Sequence, residues 1–404
     1  MKAAERILDG ALFVLAVALP LSIAATEISL GAATLAWLAT RPWSRTQAPG
    51  VRLLAWATLA LAAAWLLASA TSATPLASFV NARKLWSIVL VFILADRMRE
   101  AARARRFVTL TFAAGTVTCA IGIFVFALRH ARGEWEQPLR GVFSTAMTTG
   151  NVLATLVLAA TAFVLFARGN ESRRWFDRAA WATLLASVLL TFRRGSYLGL
   201  LAGTVVLVGM KKARLLLLVP VLVALALAVM PRAGRERALS IANPVDWTSQ
   251  GRLSLWKSGA AAFRDRPVTG WGLQDGTALI ERYKRADARF PAGHFHNNVV
   301  QIAVSTGLLG LLAYTAWMIV AGLGAFGAFR RSGSAFAAAG AAAWAGFQVA
   351  GFFDWSFGDA EVANQLFCWL GLALAAGALT ASSASASFTS AAHPPARARS
   401  DGAS

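Results

Sequence analysis

The sequence predicts an all-α, polytopic membrane protein: a bundle of about 12 transmembrane helices interrupted by one large polar loop. Composition is the first reason. Of the 404 residues, 57% are hydrophobic and 14% are charged, whereas soluble domains carry about a quarter charged residues. The second reason is that the apolar residues stand in blocks suited to crossing a hydrocarbon core of about 30 Å.

Twelve apolar blocks give the predicted spans, nine before the long loop and three after it. Several are shorter than the roughly 20 residues of a full crossing, so the predicted number of spans is twelve, plus or minus one. The blocks are Ile7–Ala25, Ile28–Ala39, Leu53–Ala70, Leu85–Ala95, Phe107–Leu128, Val152–Ala167, Ala179–Phe192, Tyr197–Met210, Leu215–Met230, Val299–Phe326, Ala335–Phe353 and Val362–Leu379.

The net charge of +20 follows membrane topology. With the N-terminus in the cytoplasm and the spans alternating, the short cytoplasmic segments hold 21 Lys and Arg residues and the short loops of the other face hold 7. This asymmetry is typical of the positive-inside rule. It leaves no basic soluble domain for a nucleic acid, and it places the long loop 231–298 on the outer face.

The chain therefore divides into four parts: helices 1–9 over residues 1–230, the loop 231–298, helices 10–12 over residues 299–382, and a disordered cytoplasmic tail at 383–404. A loop of this length should carry its own structure. Within it, Leu253, Trp256, Ala260 and Phe263 share a face at helical spacing. This spacing predicts an interfacial helix lying on the bilayer.

The segment 294–310, HFHNNVVQIAVSTGLLG, is the strongest candidate for chemistry. His294 and His296 come just before an apolar helix, for which Asn297 or Asn298 can be the N-cap. The positive end of the helix dipole and neighbouring arginines disfavour an imidazolium there. A neutral imidazole can act as a general base. Alternatively, both histidines only cap the helix at the interface.

Basic residues on the outer face form a second candidate site. Arg193 and Arg194 lie between two spans, where the positive-inside rule predicts few arginines. Guanidinium groups bind phosphate oxygens in a bidentate fashion, so the cluster suits an anionic headgroup. Snorkelling to lipid headgroups is the alternative. The further members are Arg140, Arg252 and the pair Arg83 and Lys84.

Acidic residues are scattered and lack the clustered DxD pattern that holds Mg²⁺ or Mn²⁺. We therefore expect neither a metal nor another cofactor. The two cysteines, Cys119 and Cys368, fall inside predicted spans and offer no disulfide framework.

Four motifs, in this order along the chain, resemble the O-antigen ligase and polymerase superfamily. PLRGVFS at 138–144 is similar to an R-x-G-x-F element, and FRRGS at 192–196 resembles a Ser-Arg-Gly element with Arg193 in place of serine. Residues 249–272 resemble the segment upstream of the family histidine. The signature H-N, nine residues, G, two residues, G matches His296, Asn297, Gly307 and Gly310.

This resemblance implies a bundle of about twelve helices in the bacterial inner membrane, with a large periplasmic loop and the active site facing the periplasm. It implies a metal-independent, inverting transfer of a glycan from undecaprenyl pyrophosphate to a sugar of the lipid A–core oligosaccharide. By motif position His296 would be the base, and Arg194 and Arg252 would hold the leaving pyrophosphate. Weaker expectations from the resemblance are substrate-binding roles for Arg140, Lys84, Arg193 and His294. Asp354 is added to them only because it lies near the next periplasmic loop.

Two other functions stay open at the level of sequence. An O-antigen polymerase would use the same donor but another lipid-linked glycan as acceptor. A transporter or flippase for a lipid-linked oligosaccharide would need ionisable residues deep within the spans. The charges of this chain stand mostly at the ends of its apolar blocks, which favours the ligase.

Overall fold

The computed structural model describes residues 2–44, 48–134, 137–143, 145–243, 245–284 and 293–391. Within these ranges the chain is all-α and contains no strand. The short 3-10 helices of the described residues are Pro42–Ser44, Arg83–Ile88, Ala213–Leu218 and Ser240–Ala242. The α-helices are α1 (Lys2–Ala18), α2 (Ile23–Ala39), α3 (Pro49–Ala70), α4 (Pro75–Ala82), α5 (Val89–Arg97), α6 (Ala101–Ala131), α7 (Ala146–Phe166), α8 (Glu171–Leu189), α9 (Arg194–Lys211), α10 (Val219–Val229), α11 (Arg232–Leu239), α12 (Trp247–Asp265), α13 (Thr277–Arg282), α14 (Asn298–Ser332), α15 (Ala335–Ala350) and α16 (Ala360–Ala391).

Several of these helices have the length and composition of membrane spans. In the described part of the chain, five helical stretches are long and apolar enough to cross a membrane: Pro49–Ala70, Pro75–Arg97, Ala101–Ala131, Ala146–Phe166 and Asn298–Ser332. Three shorter apolar stretches are Ile23–Ala39, Ala213–Val229 and Ala335–Ala350. Each of the twelve predicted blocks overlaps helix. The all-helical, multi-pass class is thus confirmed, while the number of crossings stays a prediction.

Two boundaries differ from the sequence prediction. The first block is not continuous, because α1 ends at Ala18 and α2 begins at Ile23. Pro20 interrupts the helical hydrogen bonds, and the side chain of Ser22 accepts a hydrogen bond from Ala25 N at 3.3 Å as the new N-cap. At the other end, α16 enters the segment 383–404 as far as Ala391. The rest of the predicted tail lies outside the described residues.

The helices α7, α9 and α15 pack closely because their contacts use small residues. A Cβ on Gly199 of α9 would stand 2.8 Å from the carbonyl oxygen of Gly346 on α15, and one on Gly203 would stand 2.8 Å from that of Ala342. Small residues allow this approach between helices in a membrane. The three helices thereby fix the relative positions of the chain segments at their ends.

The long loop folds against α14 through α12. The face of α12 that is buried in the protein carries Gly251, Ser254, Ser258 and Gly259. Leu253, on the predicted apolar face, is 41% exposed. The sequence therefore predicted the helix but not the small-residue face by which it contacts the bundle. Contact of the opposite face with the bilayer stays a prediction.

A kink in α14 anchors the next part of the loop. Gly307 has φ 64° and ψ −164°, which breaks the helix. The freed backbone groups pair with the segment 267–272: Trp271 N donates to Val304 O at 2.9 Å, and Leu308 N donates to Pro267 O at 2.7 Å. A Cβ on Gly307 would overlap Val268 O. The first glycine of the signature is thus required by a backbone conformation and by close packing.

Candidate active site

His296 and Asp354 form the centre of the site, 58 residues apart in the chain. His296 Nδ1 lies 3.4 Å from Asp354 Oδ1, and the two side chains are 22% and 11% exposed. His296 has φ 48°, a left-handed conformation uncommon outside glycine and frequent at functional sites. If Nδ1 donates its proton to Asp354, Nε2 keeps a free lone pair.

Asp354 is brought to His296 by the two asparagines of the HNN sequence. Asn297 is the N-cap of α14, accepting from Val300 N at 3.0 Å, and its Nδ2 donates to Phe352 O at 3.1 Å. Asn298 N donates to Gly351 O at 2.7 Å. These bonds fasten the connection between α15 and α16 onto the start of α14. The expectation that one of the asparagines caps the helix is confirmed.

The carboxylate of Asp354 is held from the other side by α7 and α9. Asn151 Nδ2 donates to Asp354 Oδ2 at 3.3 Å, and Ser196 Oγ donates to Asn151 Oδ1 at 2.8 Å. Both linking residues are at most 4% exposed. A hydrogen-bonded chain from Ser196 to Asp354 therefore fixes the group that faces His296.

His294 packs beside His296 but is held neutral. The ring centroids are 4.1 Å apart, and His296 N donates to His294 Nδ1 at 3.3 Å. Burial, with the second histidine adding to it, lowers the pKa of His294 to about 4. The nearby carboxylates of Asp354 and Asp275 oppose this shift only partly.

A small cavity of about 30 Å³ lies beside Asp354 and is lined by four arginines, Arg193, Arg194, Arg237 and Arg252. Gly195 lines it from the first turn of α9, so the positive end of a helix dipole borders the cavity. The Nε of Arg193 is buried and has no hydrogen-bond partner among the described residues. The cavity therefore brings together several positive charges and one unused hydrogen-bond donor, Arg193 Nε.

The pKa values of these arginines reflect that concentration of charge. Burial lowers the pKa of Arg193, and the charges of Arg237 and Arg140 lower it further. Burial also lowers the pKa of Arg237 and of Arg252, although Asp354 opposes the shift of Arg252. Positive charge exceeds the local carboxylate charge, so an anion would stabilise the site.

Arg194 lies in a different environment from its neighbour. Its side chain is 7% exposed and forms a salt bridge of 2.8 Å with Asp246, the N-cap of α12. It also donates to Ser240 O at 3.0 Å and to the hydroxyls of Thr248 and Ser249. Its donors are therefore occupied by the loop, although its side chain borders the cavity.

The eight site residues predicted from the sequence thus fall into three groups. His294, His296 and Asp354 make one contact cluster, and Arg193, Arg194 and Arg252 line the adjoining cavity. Arg140 and Lys84 are exposed and lie outside the cavity lining, but their charges reach Arg193 and His294, respectively.

Sequence reasoning missed Arg237, Asn151, Ser196 and Asp246. Arg237 lies in a loop with many basic residues, and nothing in its spacing distinguishes it from them. Asn151 is an uncharged polar residue directly before the apolar block Val152–Ala167. An amide at the edge of such a block is a signal that could have been read, since polar groups are costly within a membrane.

The same cluster has the composition of a metal site. Ligand atoms of His294, His296 and Asp354 lie within 4.8 Å of one another. Two imidazoles and a carboxylate are ligands that Zn²⁺ accepts. However, the pKa of His294 is lowered partly by Lys84, and Arg252 interacts with Asp354. These positive charges oppose a cation at this position.

Comparison with known proteins agrees with the motifs. Residues 179–315 match the model of a family described as O-antigen ligase. The chain is also 28% identical over 239 residues to the exopolysaccharide production protein ExoQ of Rhizobium meliloti (strain 1021), covering 53% of this chain and 54% of that protein. The chain thus spans about half the length of this relative. The matches are consistent with a polysaccharide ligase or polymerase type of function, and residues 179–315 are similar to the O-antigen ligase family.

Proposed function

We propose that this chain is an O-antigen ligase: a metal-independent, inverting glycosyltransferase at the periplasmic face of the bacterial inner membrane. Its donor is a glycan on undecaprenyl pyrophosphate, and its acceptor is a sugar of the lipid A–core oligosaccharide. One observation supports this most: a His296–Asp354 pair adjoins a cavity lined by four arginines. A base for a hydroxyl and a site for a leaving pyrophosphate are the two groups that such a transfer requires.

In this mechanism the acceptor hydroxyl gives its proton to His296 Nε2 as its oxygen attacks the anomeric carbon. The new C–O bond forms on the face opposite to the bond with the phosphate oxygen. That bond breaks, and its electron pair leaves with the pyrophosphate. Asp354, 3.4 Å from Nδ1, orients the ring and stabilises the imidazolium that forms.

The contacts favour a division of labour among the arginines. Arg193, Arg237 and Arg252 face the cavity, and they neutralise the charge that grows on the leaving group. Arg194 is a positioning residue, because its guanidinium is bound by Asp246 and by hydroxyls of α12. It holds the helix that carries Arg252. Arg140 and Lys84 attract the anionic donor from the rim.

Polymerisation is the second candidate function, and the name of the ExoQ relative favours it, since that protein serves exopolysaccharide production. The same base and the same arginine cavity serve both reactions. Only the acceptor differs: a lipid A–core sugar for a ligase and the terminal sugar of another lipid-linked glycan for a polymerase.

Reconstitution with each acceptor tests the proposal. Purified protein in liposomes receives a polyprenyl-pyrophosphate-linked glycan and either lipid A–core or a second lipid-linked glycan, with excess EDTA in parallel samples. We expect transfer to lipid A–core that survives EDTA. We expect His296→Ala to reduce transfer about 10²–10⁴-fold while donor binding persists. Extension of the lipid-linked glycan alone would assign a polymerase, and loss of activity in EDTA that Zn²⁺ restores would assign a metal enzyme.

A further inference from the structure

A second cavity lies at the other end of the bundle, between α1, α6 and α8. It has a volume of about 570 Å³. Its lining combines basic and apolar residues. The basic ones are Arg105, Arg106 and Arg173, and the apolar ones include Phe13, Leu110 and Phe176. We refer to it as the basic groove.

The basic groove and the candidate active site are separated by about the thickness of a membrane core. Arg106 belongs to the beginning of α6, whereas Phe126, near its end, packs on Phe192 with ring centroids 6.1 Å apart. Phe192 directly precedes Arg193 of the active-site cavity. Twenty residues of helix correspond to about 30 Å, which is the thickness of the hydrocarbon core.

The helix α8 runs the same way. Arg173 in its first turn lines the basic groove, whereas Leu190, just after its end, accepts a hydrogen bond from Leu139 N at 2.8 Å. Leu139 neighbours Arg140 at the rim of the active site. Two helices therefore place the groove at one membrane surface when the active site lies at the other.

The arginines of the basic groove differ in whether a carboxylate neutralises their charge. Arg105 is fixed by a salt bridge of 2.5 Å to Asp177 and by the ring of Phe163, whose centroid is 4.9 Å away. Arg106 and Arg173 are exposed, and no described carboxylate forms an ion pair with either side chain. Two guanidinium groups are thus available to a ligand that carries phosphate.

An exposed apolar surface of α1 adjoins the groove at Phe13. Phe13 is 39% exposed, and Val14 and Val17 beside it are 56% and 36% exposed. A free phosphate or a nucleotide has no use for such a surface, whereas an acyl chain does. Basic pockets between transmembrane helices bind anionic lipid headgroups.

We propose that the basic groove binds an anionic glycerophospholipid, with its phosphate on Arg106 and Arg173 and an acyl chain along Phe13 and the outer face of α1. Arg105 is held by its salt bridge with Asp177, so the lipid phosphate binds the other two arginines. This site is separate from the proposed glycan transfer and does not depend on it.

Thermal unfolding of the full chain in detergent, titrated with phosphatidylglycerol, tests the proposal. The variant R106Q/R173Q removes both charges, and R174Q/R178Q is the matched control, because these exposed arginines of α8 lie outside the groove. At about 1 kcal/mol for each arginine, we expect the groove variant to need roughly thirtyfold more phosphatidylglycerol for half of the thermal shift. The control variant should titrate like the wild type.

Two further titrations separate the sources of the effect. Phosphatidylcholine should give little shift, and inorganic phosphate alone should give none, because the acyl chain contributes to binding. The proposal is overturned if both double variants lose the same affinity, if phosphatidylcholine matches phosphatidylglycerol, or if phosphate alone reproduces the shift. Glycan transfer is not measured, so this outcome is independent of the proposed function.

Discussion

At the scale of single residues, the adjacent arginines of FRRGS occupy contrasting environments. Phe192 has φ 54°, and this left-handed residue turns the chain between α8 and α9. Arg193, which follows, has a buried and unpartnered Nε beside the cavity, while Arg194 forms a salt bridge with Asp246. Sequence matching points to Arg194 as the phosphate ligand, whereas the contacts favour Arg193 for that role.

The two arginines can be separated by mutation. We expect Arg193→Ala to slow transfer about a hundred- to thousandfold with unchanged thermal unfolding, because it removes one charge-stabilising donor. Arg194→Ala should lower the unfolding temperature, because loss of a buried partner costs up to about 3–5 kcal/mol. Arg237 remains 3.5 Å from Asp246 and reduces that loss. Transfer rates and unfolding in detergent are the measurements.

Arg235→Ala is the control for this pair, since Arg235 is an exposed arginine of the same loop. It should leave both transfer and unfolding unchanged. If Arg194→Ala keeps the stability of the wild type and loses only transfer, Arg194 is the phosphate ligand and the proposed division of labour is wrong.

His294 gives a pH dependence of stability. Its pKa is about 4 in the folded protein and about 6.5 in an unfolded chain. Between these values the unfolded state binds more protons, so His294 destabilises the fold as the pH drops from 6.5 towards 4. Asp359, whose pKa burial raises to about 7, acts in the opposite direction over much of the same range.

The difference in stability between the His294→Gln variant and the wild type isolates the contribution of His294. We expect His294→Gln to become more stable relative to the wild type as the pH falls from 6.5 to 4, measured by unfolding temperature in detergent. Asp359 is unchanged in both proteins and cancels. A constant difference over this range would show that His294 is not held neutral in the folded state.

At the scale of elements, the signature glycine Gly307 joins the long loop to α14. Gly307→Ala forces a side chain into a backbone conformation that is essentially restricted to glycine, which costs about 1–3 kcal/mol, and places its Cβ against Val268 O. We expect the segment 267–272 to detach, with faster proteolysis of the loop and loss of transfer. Gly10→Ala in α1 is the control, since nothing lies within 4 Å of its Cβ.

The kink explains why the signature could be recognised but not interpreted from the sequence. A glycine within an apolar block indicates a weak point in a helix, but it does not reveal which segment pairs with the opened backbone. If Gly307→Ala retains normal transfer and normal resistance to proteolysis, the docking of the loop does not support the site.

At the scale of the whole molecule, the solvent determines what the sequence can predict. Lipid demands apolar blocks of fixed length, so every predicted block overlaps helix. The site is harder to predict because it is assembled by long-range contacts. Asp354 meets His296 across 58 residues, and Asn151 reaches Asp354 across 203. Motif resemblance supplied His296, and Asp354 was predicted only from its position near the next outer loop. Of the residues that hold them, Ser196 ends the FRRGS motif, whereas Asn151 follows no local pattern.

Orientation in the membrane is the last prediction, and it concerns the molecule as one body. The charge asymmetry of the short loops predicts that reporter fusions after Arg106, Arg178 and Arg331 lie in the cytoplasm and that one inside 231–298 lies in the periplasm. The helix α14 agrees with this arrangement, because its start adjoins His296 and Arg331 comes 33 residues after Asn298, about 50 Å away along the axis. Alkaline phosphatase and green fluorescent protein fusions at these points measure it. A cytoplasmic signal from the loop would place the arginine cavity on the side opposite to the proposed acceptor, and the proposed transfer to lipid A–core could not occur there.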